Sequence, residues 1–157
     1  MTLFILTCIS AVIISVYLIG YIRNFGIPTS ISDTYYKTDR KWLFPVILGL
    51  SIATALIPML NCTPVDYQFL SFLTLAGIMF VATAPAFKEE IEGKVHFGSA
   101  VLAGICAMAW LICMSGVPWI AIIGIVIALF KWKRKVFWIE VGLLVNLYAV
   151  LLILTLQ

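Results

Sequence analysis

The sequence predicts an all-α, polytopic integral membrane protein with six transmembrane helices in a compact bundle. Three observations predict this class: the composition, a series of long apolar runs, and the placement of the charges between them. Of the 157 residues, 64% are hydrophobic and 11% are charged, whereas soluble domains are about 45–50% apolar and about 25% charged. A soluble core of this size could not bury so much apolar surface, because surface-to-volume scaling limits burial. Lipid is therefore expected to cover much of the chain.

About 20 consecutive apolar residues are needed to cross the hydrocarbon core of a bilayer. Runs of about that length lie between charged or turn-forming residues, and they predict spans at about 3–22, 42–61, 68–87, 97–115 and 136–156. A shorter apolar run, at about 117–130, follows Ser115-Gly116-Val117-Pro118, in which Ser115 can cap a new helix and Pro118 suits its first turn. This run of about 14 residues could instead form a re-entrant hairpin. Together the spans predict a single transmembrane domain over 1–157.

The basic residues decide whether the run at about 117–130 is a sixth span or a re-entrant hairpin. With six spans, every Lys and Arg lies in the first, third or fifth loop: Arg23, Lys37, Arg40 and Lys41, then Lys88 and Lys94, then Lys131, Lys133, Arg134 and Lys135. The positive-inside rule makes that face cytoplasmic. We therefore predict a protein of the cell inner (cytoplasmic) membrane, with the N-terminus and the C-terminus non-cytoplasmic.

Small residues recur along the fourth predicted span, at Ser99, Ala103 and Ala107 and again at Ala100 and Gly104. Helices associate in lipid through close packing, which small residues permit. We interpret this stripe as a packing surface within the bundle. The alternative is a seam between two copies of the chain.

Polar groups within the spans are the first candidates for function, because ionisable residues are costly in a membrane. Glu140 lies about one turn inside the last span, and Asn146 lies nearly two turns deeper. Glu140 needs a partner at its depth, and we predict that it pairs with His96, the single histidine. His96 follows an acidic stretch that includes Glu92, and a histidine beside carboxylates can act as a base. A structural ion pair and a hydrogen-bonded histidine are the simpler interpretations.

The first cytoplasmic loop contains the most distinctive polar stretch, from Gly26 to Tyr36. Its hydroxyl groups and Asp33 can accept hydrogen bonds from main-chain N–H groups in turns and cap a short interfacial helix. The functional alternative is a lipid-headgroup or peptide site on the cytoplasmic rim formed by Ser30, Ser32, Asp33 and Tyr35. The motifs GxSxG and HExxH, the P-loop and the dinucleotide fingerprint do not occur. We therefore predict no catalytic residue, no cofactor and no metal.

Two groups of residues carry a resemblance to other proteins. They are Gly26-x-Pro28-x-Ser30-Ile31-Ser32-Asp33-Thr34-Tyr35-Tyr36 with Lys41-Trp42-Leu43-Phe44, and Ala84-Pro85-Ala86-Phe87-Lys88 with Val95-His96-Phe97-Gly98-Ser99-Ala100. Here the chain resembles uncharacterised small multi-span membrane proteins of gut Bacteroidetes and their phages, from about residue 20 to the end. That resemblance implies no established activity. A looser similarity is to ceramidase-like membrane hydrolases, which share a Ser, an Asp and three His around zinc; this chain has Ser32 and Asp33 but one histidine, so that site cannot be built.

Three hypotheses for function follow. The first is a non-enzymatic module that binds lipid or a partner protein through its cytoplasmic rim, where the polar residues are concentrated. Its partners would be the lipid bilayer and another membrane protein or a second copy of the chain; the basic residues form no continuous stripe, which argues against nucleic acid. The second is a small transporter or channel subunit in which Glu140, Asn146 and His96 line a half-pathway, although Glu140 and Asn146 lie about 120° from a common helix face. The third is a membrane-embedded lipid hydrolase that uses Ser32, Asp33 and His96.

Overall fold

The computed structural model describes the backbone of residues 1–84 and 89–157 and the side chains of residues 1–84 and 93–157. Within these ranges the chain forms seven α-helices and no β-strand: α1 (Thr2–Phe25), α2 (Asp33–Lys37), α3 (Leu43–Asn61), α4 (Gln68–Thr83), α5 (Glu89–Ser115), α6 (Trp119–Phe130) and α7 (Lys135–Leu156). Two 3₁₀ turns, Val65–Tyr67 and Trp132–Arg134, lead into α4 and α7. The predicted all-α class is confirmed.

Helices that are long and apolar enough to cross a membrane number five in the described part of the chain: Thr2–Phe25, Leu43–Asn61, Val65–Thr83, Gly93–Ser115 and Trp132–Leu156. They correspond to five predicted spans, although α5 already begins at Glu89. The run predicted as a span at 117–130 is helical only over the 12 residues of α6. Those residues extend about 18 Å, against about 30 Å for the hydrocarbon core. Five helices of membrane-spanning length and apolarity are thus confirmed, and α6 alone is too short to be a complete span.

The five long helices close into a ring, in which α1 packs on α3 and α7, α3 on α4, α4 on α5, and α5 on α7. We name the end at which α1 ends and α3, α5 and α7 begin the basic end, because the described Lys and Arg residues follow or precede these helix termini there. Apolar side chains fill both halves of the ring. Near the basic end they include Ile14, Leu18, Phe44, Leu48 and Ala82, and near the other end Met59, Trp110, Leu111 and Leu151.

Hydroxyl groups join the helices inside the ring. The Tyr148 hydroxyl lies 2.6 Å from Ser10 Oγ and 2.8 Å from Ser51 Oγ, which links α7, α1 and α3. On the far side, Trp110 Nε1 donates to Thr63 Oγ1 at 2.8 Å. Polar side chains inside a membrane bundle stabilise it when they bond across helices in this way.

Small residues set the close approach of α4 and α5. A Cβ added to Gly77 would lie 2.9 Å from the Cβ of Ala103 and 3.0 Å from the carbonyl oxygen of Ser99. The small-residue stripe of the fourth span therefore packs within the chain, as we interpreted it, at Ser99 and Ala103. Gly104 does not share this contact, because nothing lies within 4 Å of a Cβ built there. Its inclusion among the close-packing residues was wrong, since one residue turns the helix by about 100°.

The short helix α6 packs against α7. The two backbones touch where Gly124 meets Gly142: a Cβ on Gly124 would lie 2.8 Å from the Cα of Gly142 and 2.7 Å from the carbonyl oxygen of Trp138. No side chain fits between helices at that separation, so both positions require glycine.

The first turn of α6 is capped by a side chain of α7. Asn146 Oδ1 accepts hydrogen bonds from the main-chain N–H groups of Ile120 at 3.0 Å and Ala121 at 3.1 Å. Such first-turn N–H groups have no partner within their own helix. Since Asn146 lies about 17 Å along the helix axis from Lys135, α6 begins beside the middle of α7.

Candidate functional site

The candidate residues meet where 28–38, which we name the rim segment, folds against the basic end of the ring. Two hydrogen bonds attach it to α7. The Phe137 N–H donates to the Thr29 carbonyl oxygen at 3.0 Å, and the Ile31 N–H donates to Glu140 Oε2 at 2.5 Å. The first two turns of α7 thus hold the rim segment through its main chain.

Helices α1 and α5 hold the same segment from other sides. The Tyr17 hydroxyl donates to Thr34 Oγ1 at 2.8 Å, and Thr34 is fully buried. His96 Nε2 lies 3.0 Å from Ser32 Oγ, and Ser32 is 8% exposed. The polar stretch of the first loop is therefore a built part of the bundle.

Glu140 and His96 reach neighbouring residues of the rim segment, Ile31 and Ser32. The predicted direct pair of these two side chains is not among the described contacts. The Glu140 carboxylate instead accepts a main-chain N–H, a partner that sequence cannot indicate. Charge-assisted hydrogen bonds of this kind are short and strong, so Glu140 fixes the rim segment to α7.

Ser32 and His96 have the geometry of a nucleophile and its base, which must lie within hydrogen-bond reach. The Ser32 hydroxyl also lies 3.0 Å from Ser30 Oγ, and Ser30 Oγ accepts the Asp33 N–H at 3.1 Å. These bonds form a chain that fixes the turn of the rim segment. Because Ser32 is buried, its hydroxyl is poorly accessible to a substrate, and the arrangement stabilises the loop.

Asp33 forms its hydrogen bonds within the rim segment. Its Oδ2 atom accepts hydrogen bonds from Thr29 N at 3.1 Å, Thr29 Oγ1 at 3.0 Å and Lys37 Nζ at 2.7 Å. Burial raises the pKa of Asp33, but these hydrogen bonds outweigh burial and lower the pKa below its ordinary 3.8. Of the three groups in the hydrolase hypothesis, only Ser32 and His96 come together.

The remaining predicted rim residues differ in their surroundings. Tyr35 is half-buried and packs edge to face on Phe44, with ring centroids 6.2 Å apart. Lys41 Nζ lies 5.7 Å from the centroid of the Tyr35 ring, a cation–π distance. Glu92 lies outside the described side chains. Tyr35 therefore joins the rim segment to the start of α3.

We name residues 131–135, between α6 and α7, the basic turn. Its four cations, Lys131, Lys133, Arg134 and Lys135, are exposed, and none forms a salt bridge with any side chain that the structure describes. Trp132 is 67% exposed, and Lys135 Nζ lies 3.9 Å from the centroid of its ring. The turn thus presents positive charge beside an exposed indole.

The basic turn and the rim segment lie close enough for their charges to interact. The hydrogen bond to Asp33 raises the pKa of Lys37, and the positive charge of Arg134 acts against that rise. We name Lys37 and the four cations of the basic turn together the basic surface. It includes a cation of α2 and the cations of the turn between α6 and α7, and the charge of Arg134 acts on Lys37.

Asn146 does not join this region. It is 4% exposed, lies nearly two turns deeper than Glu140, and caps α6. Glu140 and Asn146 therefore each satisfy main-chain N–H groups of a different segment. Among the side chains that the structure describes, no three His, Cys, Asp or Glu residues converge as metal ligands would.

Sequence reasoning missed Gly77, Gly124, Gly142 and the hydroxyl cluster around Tyr148. A glycine in an apolar run carries no periodic signal of its own, whereas Ser10, Ser51 and Tyr148 were visible as polar groups within spans that need partners.

Comparisons of the chain with protein-family models, with curated proteins and with solved structures found no match. Its function is therefore inferred from its own geometry and charge.

Proposed function

We propose that the chain is a non-enzymatic membrane module with six spans that binds the headgroups of anionic lipids through its basic surface. One observation carries the proposal: five exposed cations lie at the basic end, and among the side chains that the structure describes only Lys37 of these five has a carboxylate partner. Each Lys or Arg near an anionic membrane surface contributes about 1 kcal/mol of attraction. Four cations on one short turn, none of which pairs with a carboxylate in the described part of the chain, would therefore bind anionic headgroups strongly.

The six-span arrangement places this surface at the cytoplasmic leaflet, where anionic lipids attract basic segments. All ten Lys and Arg residues fall in the first, third and fifth loops, which the positive-inside rule assigns to the cytoplasm. The 12 residues of α6 extend about 18 Å, and the connection before them, 116–118, is bent. On this proposal α6 and the connection complete the crossing together, and both termini then lie outside.

The residues around these cations favour lipid over a protein partner or a second copy of the chain. Trp132 stands among them, and indole side chains concentrate at membrane interfaces. Meanwhile, the Ser30 and Ser32 hydroxyl groups and the Asp33 carboxylate of the rim segment are engaged in hydrogen bonds within the chain. The cations are the recognition groups that remain exposed.

Lipid binding can be measured on the purified protein in phosphatidylcholine nanodiscs that contain a rising fraction of phosphatidylglycerol, with bound lipids counted by native mass spectrometry. The test variant replaces Lys131, Lys133, Arg134 and Lys135 by Gln. At about 1 kcal/mol per cation, the loss of binding reaches at most about 4 kcal/mol at low salt and shrinks as salt is raised. The matched control exchanges Lys for Arg and Arg for Lys at the same positions, which retains the charge.

Removal of basic residues can also change topology, because the same charges orient the spans. A cysteine added after Gln157, in a background without the native cysteines, reports this through labelling by an impermeant thiol reagent in intact cells. We expect labelling in both variants. Equal phosphatidylglycerol binding by the wild type, the Gln variant and the charge-retaining control would refute the proposal.

A further inference from the structure

We infer that the protein holds one whole phospholipid, with an acyl chain in the groove between α6 and α7 and the anionic headgroup on the basic turn. This inference rests on the proposed function and deepens it. It names the ligand as a diacyl phospholipid of the leaflet at the basic end, and it assigns a role to the short helix.

The groove has a volume of about 150 Å³. The crossing at Gly124 and Gly142 creates it, because the backbones touch there while larger side chains on both sides hold a furrow open. The furrow is walled by Ile120, Ile123 and Ile127 of α6 and by Trp138, Val141 and Val145 of α7. These aliphatic walls and the indole ring suit a hydrocarbon chain and offer little to a polar ligand.

The position of the groove fits a lipid anchored at the basic turn. Ile127 and Trp138 lie about one helical turn from the ends of that turn, and Ile120 and Val145 lie deeper, beside Asn146. The furrow therefore runs about 10 Å inward from the headgroup position. The first part of an acyl chain would lie in it, and the remainder would stay among the other lipids.

A second groove provides a contrast. It has a volume of about 260 Å³ and lies between α1 and α7, where it is lined by Ile14, Leu144 and Tyr148 among others. Its nearest α7 residue, Leu144, is about 14 Å along the helix from Lys135. No cation of the basic surface stands at its mouth, so charge favours the groove between α6 and α7.

Filling the groove without touching the charges tests the inference. Ile123 is 56% exposed and lines the furrow, whereas Leu129 is 67% exposed and does not line it. In Ile123→Trp the new indole occupies the furrow, and we expect binding of dioleoyl phosphatidylglycerol in nanodiscs to fall at least fivefold. Leu129→Trp is the matched control on the same helix, and it should bind as the wild type does.

Val141→Trp fills the same furrow from α7 and replaces Ile123→Trp if that variant is unstable in detergent. Glycerol phosphate, which carries the headgroup without acyl chains, should bind far more weakly than the lipid and equally to all these variants.

If the groove variants bind lipid as the wild type does while the Gln variant of the basic turn loses it, the groove is overturned and the headgroup proposal stands. If neither kind of variant loses lipid, both are overturned. Equal loss in Leu129→Trp, or binding of glycerol phosphate as tight as that of the lipid, also overturns the groove.

Discussion

Asn146→Leu should destabilise the protein by removing the acceptor that caps α6. Leucine has about the same size but cannot accept the N–H groups of Ile120 and Ala121, which lie 3.0 and 3.1 Å from the amide oxygen. A buried donor left without a partner costs about 1–3 kcal/mol, while side-chain hydrogen bonds between helices in bilayers average about 0.6 kcal/mol. Two such bonds set a lower bound of about 1 kcal/mol. We expect a loss of about 2 kcal/mol, because α6 can relax only in part.

The free energy of unfolding is measured by titration with a denaturing detergent in mixed micelles. Asn24→Leu is the matched control, since the Asn24 amide is exposed and donates to the Gly20 carbonyl of its own helix. Such surface changes are usually within about 0.5 kcal/mol. If Asn146→Leu cost no more than Asn24→Leu, the first turn of α6 would not depend on α7, and our placement of α6 would be wrong.

Three further predictions concern packing and the rim segment. Gly124→Ala should cost about 1–3 kcal/mol in the same titration, because its Cβ overlaps the backbone of α7. Gly49→Ala, where nothing lies within 4 Å, should cost nothing or stabilise by up to about 1 kcal/mol; equal effects would contradict the tight crossing. Asp33→Asn should lower thermal stability at pH 7. Since the folded pKa of Asp33 is lowered from 3.8, the stabilisation exists above that value and is lost as pH falls through the folded pKa. The two proteins should therefore converge in acid, and a pH-independent difference would count against the carboxylate. Glu140→Gln should retain more stability than Glu140→Leu, because the amide oxygen can still accept the Ile31 N–H; equal loss would show that this hydrogen bond contributes little.

The five long apolar helices were predictable because the length and the apolarity of each run can be read directly from the sequence. The sequence also predicted that the first and fifth loops lie at the same end of the bundle. In the structure the charge of Arg134, in the fifth loop, acts on Lys37, in the first. The main-chain hydrogen bond of Asp33 in the turn followed from local chemistry, because its partners Thr29 and Lys37 lie within four residues. The side chain of Ser32, the N-cap residue of α2, forms no capping hydrogen bond.

The partners of the deeper polar residues could not be predicted. Glu140 and Asn146 both bond to main-chain N–H groups of distant segments, and every residue except proline carries such a donor. The extent of α6 was likewise hidden, because Val117 and Trp119 continue the apolar run although the helix begins only at Trp119. Apolarity gives the length of a buried segment but not the conformation of its ends.

The central claim is that anionic phospholipid occupies the basic turn and the adjacent groove. Photo-crosslinking tests it most directly, with phosphatidylglycerol that carries a diazirine either in the headgroup or along one acyl chain, followed by peptide mapping of the protein in nanodiscs. The account predicts that headgroup crosslinks concentrate within 131–135 and that acyl-chain crosslinks concentrate on the groove walls of α6 and α7. Crosslinks spread evenly over the lipid-facing helices, or concentrated between α1 and α7, would contradict it.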